Sequence, residues 1–149
     1  MLNNLLKNAK ITRVHAGGAG AASATPTKGT ILDMAGFQSV MFIAEMGDVV
    51  SGSVVSLRAA QATTNDTNEM DLLAGSAGGT AGASDIDDKL IVLDVVRPNE
   101  RYIEVQLFHT TQNAPFDSIL AIQYDAKDMP VTQGSTVYDA ETLANPNEA

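Results

Sequence analysis

The sequence predicts an all-β fold, an antiparallel β-sandwich or jelly roll with extended N- and C-terminal arms. Three observations lead there: six to eight short segments carry strand patterning, turn residues or glycine-rich loops separate them, and no long helical periodicity intervenes. A parallel α/β sheet would need helical crossovers that the chain does not offer. Its 149 residues are sized for one domain, able to bury about 70% of the unfolded surface. Residues 1–15 are expected to form an N-terminal arm and first short strand, 16–129 a single sandwich domain, and 130–149 an extended C-terminal arm.

Taken in order, residues 1–10 place Leu2, Leu5, Leu6 and Ala9 on one side of a short helix. So short a helix needs a surface to lean on. Residues 11–15 read as a strand. The run "AGGAGAASATPTKG", residues 16–29, reads as a flexible loop of small residues that ends in a proline turn. A short strand is expected near residues 30–33, a break at Ala35 and Gly36, and a strong strand over residues 37–46. There Val40, Phe42, Ala44 and Met46 share one face and Ser39, Met41, Ile43 and Glu45 the other, so both faces are expected to be partly covered.

In "SVVSLRAAQA", Val55, Leu57 and Ala59 alternate with Ser56, Arg58 and Ala60, the pattern of a half-buried strand. Residues 63–84 form a long polar and then glycine-rich excursion, with at most a short strand near residues 70–73. Residues 90–96 are an almost unbroken apolar run, assigned to a central strand. Pro98 and Asn99 turn the chain, and residues 102–109 are expected to return antiparallel beside that run. Ile103, Val105, Leu107 and His109 make one greasy face of the returning strand. Tyr102, Glu104, Gln106 and Phe108 make a mixed one that suits neither a core nor bare solvent. A last strand sets Ile119, Ala121 and Gln123 opposite Leu120, Ile122 and Tyr124, and Pro130 ends regular pairing.

Composition narrows the function. The chain has no cysteine, which excludes disulfides, thiolate metal sites and a cysteine nucleophile. A net charge of −9 disfavours nucleic acid and anionic membrane surfaces as partners. No apolar run is long enough to span a bilayer, and the start lacks the pattern of a secretion signal, so synthesis in the cytoplasm is expected. The charge is uneven: Lys7, Lys10, Arg13 and Lys28 precede the first acid, Asp33, whereas only acids, Asp139, Glu141 and Glu148, follow Met129. Such opposite ends can steer copies together or remain solvated tails.

The histidines His15 and His109 have no G-x-S-x-G or other nucleophile signature nearby, so His109 is expected at a strand end rather than in catalysis. Asp85, Asp87 and Asp88 in "SDIDDKL" are weak calcium candidates, because the EF-hand positions for glycine and the closing acid hold Leu90 and Val96. The glycine-alanine runs lack the Lys-Ser/Thr of a phosphate loop. No cofactor and no enzymatic activity are expected.

Three stretches, "DMAGFQSVMFIAEMG" (residues 33–47), "VVRPNERYIEVQL" (95–107) and "AIQYDAKDMPVTQGSTV" (121–137), together resemble small tailed-phage virion proteins. The pattern falls on Arg97, Pro98, Arg101, Tyr102, Gln123, Tyr124, Pro130, Thr132 and Gln133. The resemblance implies a non-enzymatic capsid decoration, or cement, protein on the outer head shell of a virion. It implies the major capsid protein as partner and self-association, often as trimers. The alternatives are a head–tail junction protein and a jelly-roll module for a carbohydrate or other small ligand.

For an assembly role, the expected contact residues are Leu2, Leu5, Leu6, Lys7 and Lys10 in the first arm and Val131, Val137, Tyr138 and Leu143 in the second. Between them stand Arg97, Arg101, Tyr102, Glu104 and Phe108. Tyr102 and Phe108 would pack at a subunit contact, with Arg101 and Glu104 fixing register, or else that face meets the chain's own second sheet.

Overall fold

The computed structural model describes residues 4–144 and 146–147. After one helical turn, α1 (Leu5–Asn8), come β1 (Lys10–His15), β2 (Ser23–Lys28), β3 (Leu32–Asp33), β4 (Phe37–Met46) and β5 (Val54–Ala62). A 3-10 turn (Thr67–Glu69) then leads into β6 (Asp71–Leu72), β7 (Ala77–Thr80), β8 (Leu90–Val96), β9 (Tyr102–Thr110) and β10 (Phe116–Ala126). All strand pairs are antiparallel.

One sheet has four strands in the order β1-β10-β4-β8; the other has six, in the order β2-β9-β5-β6, with β3 also on β9 and β7 also on β5. The nearly all-β antiparallel sandwich expected from the sequence is therefore present. Strict alternation builds its core. Val40, Phe42 and Ala44 of β4 and Ile119 and Ala121 of β10 face Val55 and Leu57 of β5 and Ile103, Val105 and Leu107 of β9, all buried in one apolar cluster.

Four expectations need correction. Residues 16–29 are not one flexible loop, since they hold β2, and residues 17–22 are tied to residues 113–116. Gly18 bridges to Phe116, Ala114 N–H donates to Gly20 O, and Ala22 N–H donates to the Asn113 side chain. Pro26 fits in β2 because that strand lies at the sheet edge, with an irregular register between Ser23 and Thr27. Residues 90–96 are an edge strand, not a central one. The turn at Pro98 joins no hairpin either: it carries the chain from β8 in one sheet to β9 in the other, where β9 lies between β2 and β5. Finally, the glycine-rich excursion contains β7, which the sequence pattern did not reveal. At Gly78 (φ 138°) a Cβ would run into the Val55 carbonyl, so only glycine lets β7 lie so close to β5.

Candidate interaction face

The residues of the four-stranded sheet that alternate with the core positions point away from the sandwich. Register places them in cross-strand rows. Arg13, Leu120, Ile43 and Val92 form one row, and Ile11, Ile122, Met41 and Asp94 the next. Glu45 lies beside Leu90 at one end, and Tyr124, Ser39 and Val96 complete the other. Leu90, Val92 and Val96 are 60%, 46% and 63% exposed, and Ile11, Met41, Ile43, Leu120 and Ile122 are all partly exposed. Ser39, at the Tyr124 end, is fully buried, while the apolar side chains of the face stay at least partly exposed. Contiguous exposed apolar surface of this kind marks an interaction site, whereas scattered single residues do not.

Charge is confined to its margins. Arg13 stands on the β1 side, its guanidinium donating to Ala16 O at 3.2 Å. Glu45 and Asp94 stand toward β8. Tyr124 donates its hydroxyl to Asp94 at 2.7 Å. Burial, and then that hydrogen bond, push the Tyr124 phenol above its ordinary pKa.

The mixed face of β9 belongs to the other sheet, where its own chain buries Glu104 and Gln106 and leaves Tyr102 and Phe108 partly exposed. Glu104 is only 2% exposed. It accepts hydrogen bonds from Thr67 Oγ1 at 2.7 Å and Gln106 Nε2 at 2.9 Å, with Lys28 Nζ 3.8 Å away. Lys28 in turn donates to Thr67. The β5–β6 excursion thus folds back over the strand, and Glu104 is corrected from a contact residue to a buried intrachain group. Arg58 stacks over Phe108 at 5.1 Å and Arg101 over Tyr102 at 5.2 Å. Arg101 also grips Asp33 with two hydrogen bonds, of 2.9 and 2.8 Å. That grip holds the Asp33 carboxyl below its ordinary pKa and raises that of the Arg101 guanidinium.

The remaining expected contact residues scatter around this frame. Arg97 is exposed at a strand end (φ 53°), and its amide donates to Ser39 Oγ. Leu5 and Lys7 are exposed on α1, Leu6 and Lys10 are partly buried, and Leu2 lies outside the described residues. Residues 131–136 lie along β1 of the same molecule. Val131 N–H donates to Lys7 O, and Thr136 Oγ1 accepts from Arg13 N–H. Gln133 accepts from Ile11 N–H at 2.9 Å and donates to Ala9 O at 2.7 Å and Leu6 O at 3.2 Å. Beyond this latch Val137 is partly buried, while Tyr138 and Leu143 are exposed.

Asp85 and Asp87 accept backbone N–H groups of Gly82 and Val49, and Asp88 occupies a left-handed turn position (φ 54°). No cluster of three potential metal ligands occurs among the described residues. His109 is buried at the end of β9, with Nε2 2.8 Å from Thr27 Oγ1. His15 Nδ1 accepts from Gly17 N–H.

The apolar outer face was missed in the sequence, although its signal is there. The runs "VMFIA", "LIVLDVV" and "ILAI" are apolar on both sides of their strands, a pattern that also fits strands covered on both faces.

The class of protein that this geometry defines is a two-sheet antiparallel β-sandwich. No family model and no curated protein matches the chain. Among solved structures, a chain from the structure of infectious bursal disease virus, Gx strain, is similar in fold, with a TM-score of 0.52 at 14% identity. The similarity covers 83% of this chain and 34% of that one, so this chain spans about a third of its length. The likeness is one of fold.

Proposed function

We propose that this chain is a non-enzymatic structural subunit of a virus particle. The observation that carries the reading is the uncovered apolar face of the four-stranded sheet, a surface fit for packing against protein. The viral-type fold supports it. Along the lines of the tailed-phage resemblance, the subunit is a decoration protein that reinforces the outer head shell, with the major capsid protein and further copies of itself as partners. Each contact is modest, and many copies on one shell multiply their effect through avidity. Synthesis in the host cytoplasm precedes attachment.

Ile43 sits in the middle of the face, on a strand with a neighbour on either side. Purified Ile43→Ser protein is expected to melt cooperatively yet fail to co-sediment with shells that bind the unaltered chain. Imaging of particles is expected to place the chain on the head surface. Unimpaired sedimentation of the variant, or absence of the chain from purified particles, overturns the reading.

A further inference from the structure

The same face is self-complementary. It carries a base on the β1 margin, Arg13, an apolar centre built from β10 and β4, and acids toward the β8 margin, Glu45 and Asp94. Strands spaced about 4.8 Å apart and rows of seven residues rising about 3.3 Å each outline a patch of roughly 19 by 23 Å. That footprint, about 440 Å², lies in the middle of the range for the largest apolar patch on a monomer, about 300–600 Å².

We propose that two copies pack these faces together about a two-fold axis running along the strands, so that the β1 margin of each lies over the β8 margin of the other. The inference shares its surface with the proposed function and commits to a second copy as occupant. Charge selects the axis. Turned about the strand direction, Arg13 of one copy arrives over Val92 of the other, with Asp94 and Glu45 on either side. Turned about the perpendicular in-plane direction, β1 lies on β1 and β8 on β8, and like charges meet, which disfavours that arrangement. The chosen axis also keeps the opposed strands nearly aligned, as in ordinary sheet-on-sheet packing at about 10 Å. An isologous pair closes on itself, so self-association and shell attachment compete for the face. The footprint is smaller than the roughly 800 Å² per partner of a standard interface, so the dimer is reversible on dilution.

Sedimentation velocity over a concentration series tests this at low salt, with thermal melts to verify folding. The unaltered chain is expected to pass from monomer to dimer as concentration rises. Arg13→Glu alone, and the Glu45→Lys/Asp94→Lys pair alone, are each expected to weaken the dimer at least tenfold. An equimolar mixture of the two variants is expected to recover it, because both inter-copy contacts then join opposite charges. A trimer, a monomer at every concentration, or a mixture no better than its components overturns the proposal. A monomer that still loses shell binding through Ile43→Ser overturns the dimer and leaves the virion role standing. A dimer with the stated charge behaviour, from a chain absent from particles, does the reverse.

Discussion

Glu104 lies farthest from what its residue type leads one to expect. Alternation along β9 correctly turned it away from the Ile103, Val105 and Leu107 face, but local pattern does not show that a turn some 35 residues earlier in the chain covers it. Its carboxylate organises Thr67, Gln106 and Lys28, so truncation leaves the buried Gln106 amide without its acceptor. Glu104→Ala is expected to destabilise the fold by about 1–3 kcal/mol in urea unfolding at neutral pH. Glu104→Gln, which keeps an acceptor oxygen, is expected to lose less. Asp33 and Arg101 form a pair that is bidentate but largely solvent-exposed, with side chains 44% and 57% exposed. The Arg101 hydrogen bond lowers the folded-state pKa of Asp33 below its ordinary value. The pair therefore contributes stability above about pH 3.9, the unfolded value. That contribution is lost as pH falls through the folded value. The small difference in urea midpoint between the unaltered chain and Arg101→Ala is expected to be present at pH 6, to shrink with added salt, and to vanish at the acid limit.

Among the elements, strands whose apolar residues alternate were legible to the residue: β4 runs over Phe37–Met46, the span expected from the sequence. What could not be read locally was placement. Ile91, Leu93 and Val95 pack on the core while Leu90, Val92 and Val96 meet solvent, so β8 mimics a buried central strand in composition. Likewise, Pro98 and Asn99 signal a turn without saying whether the chain stays in its sheet. Glycine-rich runs looked loose because their order comes from distant backbone. Gly20 (φ 54°) approaches Ala114 so closely that a Cβ would strike its carbonyl. Gly20→Ala is accordingly expected to cost more than about 1 kcal/mol. The tail was legible as extended, but not as fastened to β1. Gln133→Ala removes three hydrogen bonds to the first arm. The expected loss is on the order of 1–2 kcal/mol, with faster hydrogen exchange at the Ile11 amide; unchanged exchange there would show that the latch does not hold in solution.

At the scale of the molecule, the two sheets divide the work. The β5–β6 excursion reaches Glu104 on the mixed outer face of the six-stranded sheet, and the four-stranded sheet leaves an apolar face partly exposed. The expected weight on Tyr102 and Phe108 therefore shifts to Ile43 and its row neighbours. Sequence alone showed the greasy residues but not that the fold leaves them partly exposed, a property of tertiary arrangement. Exchanging Ile43 for Ser is expected to change overall stability little compared with a core truncation, while abolishing attachment; a calorimetric melt beside a binding assay separates the two effects. The β1 strand has a further bearing on how the molecule comes into being. Its one sheet neighbour is β10, and its free edge is covered by residues 131–136. As the chain leaves the ribosome, β1 must wait for β10 and residues 131–136 to emerge. Pairing of β1 into its sheet is thus slow, because it closes a loop between strands far apart in sequence.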